Sequence, residues 1–323
     1  MSDTLISTPV AAVAGIAAAA LLVVAGSKLK KSNREGIVPL MGVMGAFVFA
    51  AQMINFSIPG TGSSGHIVGG VLLAAMLGPW AAFITLSSVL IIQCLVFADG
   101  GLMALGCNII NMAALSTLVA YPLIYRPLMR LSKSPWMTMG ASMAACIFGL
   151  ELGALAVTGE TIASGVTALP ATTFLMLMTS IHLAIGLGEG MATGAVLMFV
   201  AKERPGLLYE SNRRMGKKKL RNACLWIAGI AIAVAGGLSL LASSNPDGLE
   251  WSIAKITGAT ELASESQSSV MAMAQKAQQT TAVLPDYEGY TAGIIGALIV
   301  LALLWVVSSR LLRPHKQKSN TLQ

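Results

Sequence analysis

The chain has 323 residues, of which 55% are hydrophobic and only 11% are charged, with a net charge of +7. An ordinary soluble domain carries about 25% charged residues, so this surface has too few charges for a soluble enzyme, a disordered chain or a small secreted domain. Apolar stretches of about 20 residues ending near Lys or Arg point instead to membrane helices.

The charges set the topology. Nineteen of the 21 Lys and Arg residues fall in four clusters: 28–34, 126–133, 202–221 and 310–318; only Lys255 and Lys276 lie elsewhere. Short basic loops stay on the cytoplasmic face, so the basic surplus is topological and speaks against a nucleic-acid partner. Spans at 8–27, 37–56, 66–78, 79–98, 102–125, 136–158, 169–201, 222–243 and 291–312 satisfy every cluster. The N-terminus is then outside and the C-terminus inside. The fold expected is all-α: a seven-helix bundle followed by two further membrane helices that flank an external loop.

In chain order, the first segment carries its positive charges after the apolar run and is read as a retained helix. Its Ala11, Ala14, Gly15, Ala18 and Ala19 offer a smooth surface for close packing, within the chain by preference. The run 66–98 is too long for one span and is split at Gly78-Pro79, because proline cannot continue a helix without a kink. Its first piece is a half-span. Segment 169–201 is overlong and is expected to tilt or break near Gly186-Leu187-Gly188. Beyond the basic stretch 202–221, the external loop 244–290 is polar and acidic, and 259–282 reads as poorly ordered or loosely helical. Cys94, Cys107, Cys146 and Cys224 show no paired-ligand spacing and read as buried apolar residues.

Candidate chemistry concentrates in Asn55-Phe56-Ser57-Ile58-Pro59-Gly60-Thr61-Gly62-Ser63-Ser64-Gly65-His66. Glycines there allow tight turns and close approach to a ligand, and neutral imidazole suits nickel, cobalt, copper or zinc. His66 is either a metal ligand or an interfacial histidine in a glycine-rich turn. Gln52, Gln93, Asn108, Asn111, Glu151, His182 and Glu189 lie within spans, where polar groups are costly. Counted along its helix, His182 sits about 20 Å below the outer boundary. That depth separates it from His66 and favours hydrogen bonding for His182 and Glu189, with Glu151 a weak candidate near the site. HExxH, GxSxG and Walker A motifs are missing from the sequence, so no enzyme is indicated and no ATP site is present to power transport.

The segments PLMGVMGAFVFAAQMINFSIPGTGSSGHIVGG (39–70), GPWAAF (78–83), ADGGLMALGCNIINM (98–112) and HLAIGLGEG (182–190) closely resemble the CbiM/NikM family. Those are the metal-binding membrane components of energy-coupling factor (ECF) transporters for cobalt and nickel. SSNPDGLEW (243–251) resembles the PDGLE segment of the family's small companion subunit. The resemblance implies a fusion: 1–201 as the metal-binding membrane domain, 202–221 as a basic cytoplasmic linker, and 222–323 as a PDGLE-type two-helix domain. It further implies uptake of Ni²⁺ or Co²⁺ as transported ligand, with no permanently bound cofactor, across a prokaryotic cytoplasmic membrane. The partners implied are membrane lipid, cytoplasmic ATPase subunits and a transmembrane coupling subunit. A metal-responsive regulatory or assembly subunit is the alternative. The implied metal site is external, with His66 as imidazole donor and Met1 and Ser2 as backbone donors. Family members typically begin Met-His, whereas this chain begins Met1-Ser2-Asp3; either the start lies two residues upstream or the site is altered.

Overall fold

The computed structural model describes residues 1–31, 36–211, 216–237, 242–262, 269–285 and 291–312. Parts of three basic clusters (Arg34; Arg213 and Arg214; Arg313, Lys316 and Lys318), together with Glu265, Asp286, Glu288 and residues 238–241 of the eighth expected span, lie outside the described residues. The chain is a polytopic all-α membrane protein. Among the described residues seven helices are long and apolar enough to cross a bilayer. They are α1 (Thr8–Lys30), α4 (Pro79–Phe97), α5 (Leu105–Leu131), α6 (Pro135–Ser164), α7 (Ala171–Glu203), α8 (Lys217–Gly236) and α11 (Ala292–Leu311). The shorter apolar helix α2 (Ile37–Gln52) and the half-helix α3 (Gly70–Leu77) complete the nine apolar segments that the charge map threads.

Helix α4 lies innermost, and α2, α3 and α5 pack around it. The interior is built from Leu40, Met41, Phe49, Leu73, Phe83 and Phe97, all at most 2% exposed. Of the small-residue face of α1, Ala11, Ala14 and Ala18 are buried inside the chain, Gly15 partly so, and Ala19 is exposed. A Cβ on Gly106, at the start of α5, would lie 2.5 Å from the Gly15 nitrogen, so the two helices meet backbone to backbone. The middle of α5, Ile109–Tyr125, is wound as a π-helix, and Arg126 N–H correspondingly reaches back five residues to Tyr121 O. All four cysteines are free and buried.

The break at Gly78-Pro79 is where the sequence puts it. Gly78 has φ +88, and Pro79 opens α4 at a position that needs no N–H. The Tyr209 ring covers Gly78, and Tyr209 N–H donates to Ala75 O, so this turn sits at the end of the molecule occupied by the basic segment.

Of the two alternatives for the overlong segment, a break is excluded. Helix α7 is unbroken over 33 residues, about 50 Å of helix. Its glycines serve contact instead of a kink. A Cβ at Gly186 would lie 2.9 Å from Ile147 Cα, one at Gly190 2.5 Å from Met143 Cα, and one at Gly188 2.7 Å from the Phe56 ring. These positions let α6 lie tight along α7 and let a loop press against it.

The segment between α8 and α11 takes the helical of its two expected forms over 269–281. It holds helices α9 (Gly248–Thr257) and α10 (Ser269–Thr281), with Met271 and Gln278 buried. Residues 263–268 of the stretch read as poorly ordered lie outside the described residues.

Candidate metal site

The glycine-rich segment forms a hairpin, β1 (Phe56–Ile58) against β2 (Ser63–Gly65), paired antiparallel with Phe56 opposite Gly65. Gly60 and Gly62 take left-handed φ of +78 and +74, which closes the turn without strain. The hairpin does not rest on the outer surface. Ser63 and Ser64 are fully buried, and Gly65 touches α7 so closely that a Cβ would lie 2.7 Å from Ile185 Cγ1. The chain then descends further, until Val68 N–H and Gly69 N–H donate to the Glu189 carboxylate at 3.1 and 2.9 Å. Glu189 is 2% exposed. Both of its oxygens are thus used to hold the two residues that lead from His66 into α3. Gln52 Nε2 donates to Val68 O at 2.9 Å and fixes the same residue from the other side.

This descent changes the depth assigned to His66. The loop lies alongside the helical turns that follow His182, so His66 and His182 line one cavity of about 110 Å³, together with Met1, Asn108, Glu189 and Asp247. Separation of the two histidines by depth is therefore corrected: a glycine-rich loop can enter a bundle, and counting along α7 locates only His182. The hydrogen bond of His182 is within its own helix, from Nδ1 to Met178 O at 2.7 Å. Glu151 is not among the cavity-lining residues, and its Oε1 is buried without a hydrogen-bond partner.

Met1 is held by the loop that precedes α5. Its carbonyl accepts from Gly101 N–H at 3.1 Å and, at 3.4 Å, from Asn108 Nδ2. Asp3 accepts from Ala104 N–H at 3.0 Å and lies against Gly101, where any Cβ would collide with its carboxylate. Burial pushes the Asp3 carboxyl above the ordinary carboxylate range, while the Ala104 and Met103 amides partly oppose that rise. Ser2 is exposed, with its hydroxyl 2.7 Å from that of Thr4, and it is not among the cavity-lining residues.

The segment Asn245-Pro246-Asp247-Gly248-Leu249-Glu250-Trp251 lies over the hairpin. Pro246 O accepts from Ser64 N–H at 2.8 Å, Asn245 O from Ser64 Oγ at 2.8 Å, and Thr61 O from Trp251 Nε1 at 2.9 Å. Asp247 caps α9 by accepting from Leu249 and Glu250 N–H, and Glu250 returns the bond from Asp247 N–H, a capping box. Gly248 is needed here, since a Cβ would lie 2.9 Å from Ile185 and 3.1 Å from His182 Cε1. From α10, Gln278 Nε2 donates to Gly100 O at 2.7 Å and Cys94 O at 3.0 Å, so it steadies the loop that grips Met1.

Sequence reasoning passed over Asp247 and Gln278 as site neighbours. The PDGLE motif itself marked the first; a lone glutamine in a polar stretch gave no signal for the second. Among the described residues no three His, Cys, Asp or Glu side chains come together as a ready-made metal cage. Coordination here would have to combine few side chains with backbone or terminal nitrogen.

A multi-pass bundle of membrane helices encloses this small cavity, and the segment 245–251 docks over it, an arrangement that suits a membrane transport protein. Residues 1–207 match the family CbiM, described as cobalt uptake substrate-specific transmembrane region, and residues 221–313 match the PDGLE domain. The chain belongs to the CbiM family. It is 34% identical over 306 residues to the putative fused nickel transport protein NikMN of Archaeoglobus fulgidus, covering 90% of this chain and 92% of that one. It is also 34% identical over 261 residues to the probable fused nickel transport protein LarMN of Lactiplantibacillus plantarum, covering 78% and 76%. A crystal structure of a transition metal transporter aligns with a TM-score of 0.55 at 33% identity, covering 62% of this chain and 92% of that chain.

Proposed function

We propose that the chain captures Ni²⁺ or Co²⁺ from outside the cytoplasmic membrane at the cavity beneath the hairpin and passes it inward. His66 supplies an imidazole and Met1 its terminal nitrogen; Ser2, whose side chain does not line the cavity, contributes its backbone nitrogen alone. Residues 1–201 form the metal-binding unit, 202–221 a cytoplasmic linker, and 222–323 the companion unit. Transport is driven by separate ATPase subunits acting through a transmembrane coupling subunit, as in energy-coupling factor transporters.

The observation that carries this is the convergence of Met1 and His66 on one cavity from chain positions 65 residues apart. Neutral nitrogen donors in a small, partly dry site suit late first-row divalent metals. The relatives named for nickel transport support the cargo. The N-terminus outside and the C-terminus inside follow from the basic ends of α1, α5, α7 and α11.

The test is uptake of radioactive nickel and cobalt by cells expressing the chain with and without its ATPase and coupling partners. Uptake is expected only with the partners, and His66→Ala should abolish it while the protein stays in the membrane. Uptake unchanged by His66→Ala refutes the assignment of the site.

A further inference from the structure

The His66 ring does not face the cavity alone. His182 reaches the same space from α7, and three observations bear on what its ring can do there.

The first is its tautomer. Nδ1 lies 2.7 Å from Met178 O, and a carbonyl oxygen can only accept, so Nδ1 carries the hydrogen. In a neutral imidazole the other nitrogen, Nε2, then bears the lone pair. A ring whose far nitrogen donates to a carbonyl is the usual arrangement of a metal-binding histidine, because that bond fixes both the orientation and the basicity of the ligating nitrogen.

The second is position. His182 lines the cavity with Met1 and His66, and the His66 ring and the Asp247 carboxylate lie within electrostatic reach of it. Gly65, next to His66, packs on Ile185, three residues along the same helix. Gly248 packs on the His182 ring edge at Cε1, and only a residue without a side chain fits there, so the PDGLE segment leaves the ring in place instead of displacing it.

The third is the shortage of other ligands. No cluster of three acidic, thiol or imidazole side chains is present among the described residues, so each imidazole on the wall counts for the site. Of the other candidate donors on the wall, Glu189 has both oxygens on the Val68 and Gly69 amides, Asp247 Oδ1 caps α9, and Cys146 is a buried thiol.

We propose that His182 Nε2 is the second imidazole donor of the metal site, so that His66 and His182 hold a divalent late transition ion between the hairpin and α7. The assignment rests on the reading of this cavity as the metal site. In it His182 is a ligand, and its bond to Met178 O is what aims it.

The test uses the purified full chain in detergent, with Ni²⁺ for affinity and Cu²⁺ as a spectroscopic probe. His182→Asn keeps a nitrogen donor at the Nδ1 position for Met178 O but removes the ligating nitrogen. It should weaken Ni²⁺ binding by about 100-fold or more and remove one directly bonded nitrogen from the Cu²⁺ paramagnetic resonance pattern. The metal-free melting temperature should stay unchanged. Wild-type affinity and nitrogen count in His182→Asn, with binding lost in His66→Ala, overturn the role of His182 and leave the proposed site standing. Wild-type binding in both variants overturns the site itself. If His182→Asn melts early, His182→Cys decides: a thiolate-to-metal charge-transfer band on adding Cu²⁺ supports coordination from position 182, and its absence overturns it.

Discussion

At the residue scale, Glu189 is the clearest case of a buried acidic side chain with a structural task. Its two oxygens take the amides of Val68 and Gly69, two and three residues past His66. Glu189→Gln replaces one acceptor by a donor and leaves one of those buried amides facing an N–H. Leaving a buried donor without its acceptor costs about 1–3 kcal/mol. The metal-free protein should therefore melt earlier, and the Val68 and Gly69 amides should exchange faster with deuterium, while amides in α11 keep their protection. Slow exchange at both positions in the variant counts against the clamp. The sequence marked Glu189 as a hydrogen-bonding group, which it is; its partners were illegible because they are backbone amides about 120 residues away. The depth of His66 relative to His182 was misjudged for a related reason. A helix reports the depth of its own residues through 1.5 Å per step, but a glycine-rich loop has no periodicity from which depth can be counted.

At the element scale, the capping box of α9 ties acid–base behaviour to closure over the hairpin. Burial, and secondarily the neighbouring Asp247 charge, raise the Glu250 carboxyl above its ordinary value of 4.5. A raised folded value means that its contribution to stability is fully present below the unfolded value and is lost as pH rises through the folded one. Docking of α9 should thus be firmest on the acid side and loosen upward from about pH 4.5. Metal binding should run the other way, because imidazoles must lose protons before they ligate. Deuterium exchange of 248–257 across pH 4 to 7 should show the loosening, and Glu250→Gln should flatten it. A slope that persists in the variant assigns the effect to another group. The PDGLE motif was visible from sequence alone, yet its seat was not: Trp251 and Thr61 are 190 residues apart, and nothing local to either announces the pair.

At the scale of the whole molecule, charge and punctuation carried most of the architecture. The apolar segments marked out between the basic clusters correspond to nine helices among the described residues, and Gly78-Pro79 marked the half-helix. What they could not convey was the purpose of Gly186, Gly188 and Gly190. Glycine in a helix reads as weakness when only propensity is weighed, whereas here missing side chains make room for Ile147, Phe56 and Met143. Orientation remains open to direct measurement. Single cysteines placed at Met273 and at Lys217, in a chain whose native cysteines are replaced, should be labelled by an impermeant maleimide from outside the cell at 273 and only after lysis at 217. Labelling of 217 in intact cells reverses the proposed topology.

The fastening of Gln278 to Gly100 and of the PDGLE segment to the hairpin has a further consequence, because both belong to a stretch anchored on either side by a membrane helix, α8 before it and α11 after it. Such a segment cannot diffuse away when its hydrogen bonds break. It meets its seat at an effective concentration in the millimolar range typical of short tethers. Contacts too weak to hold a free peptide at cellular concentrations are then enough to keep the roof closed most of the time, and they leave it able to open often. Covalent linkage thereby sets a closed fraction that does not depend on how much of the protein the cell makes.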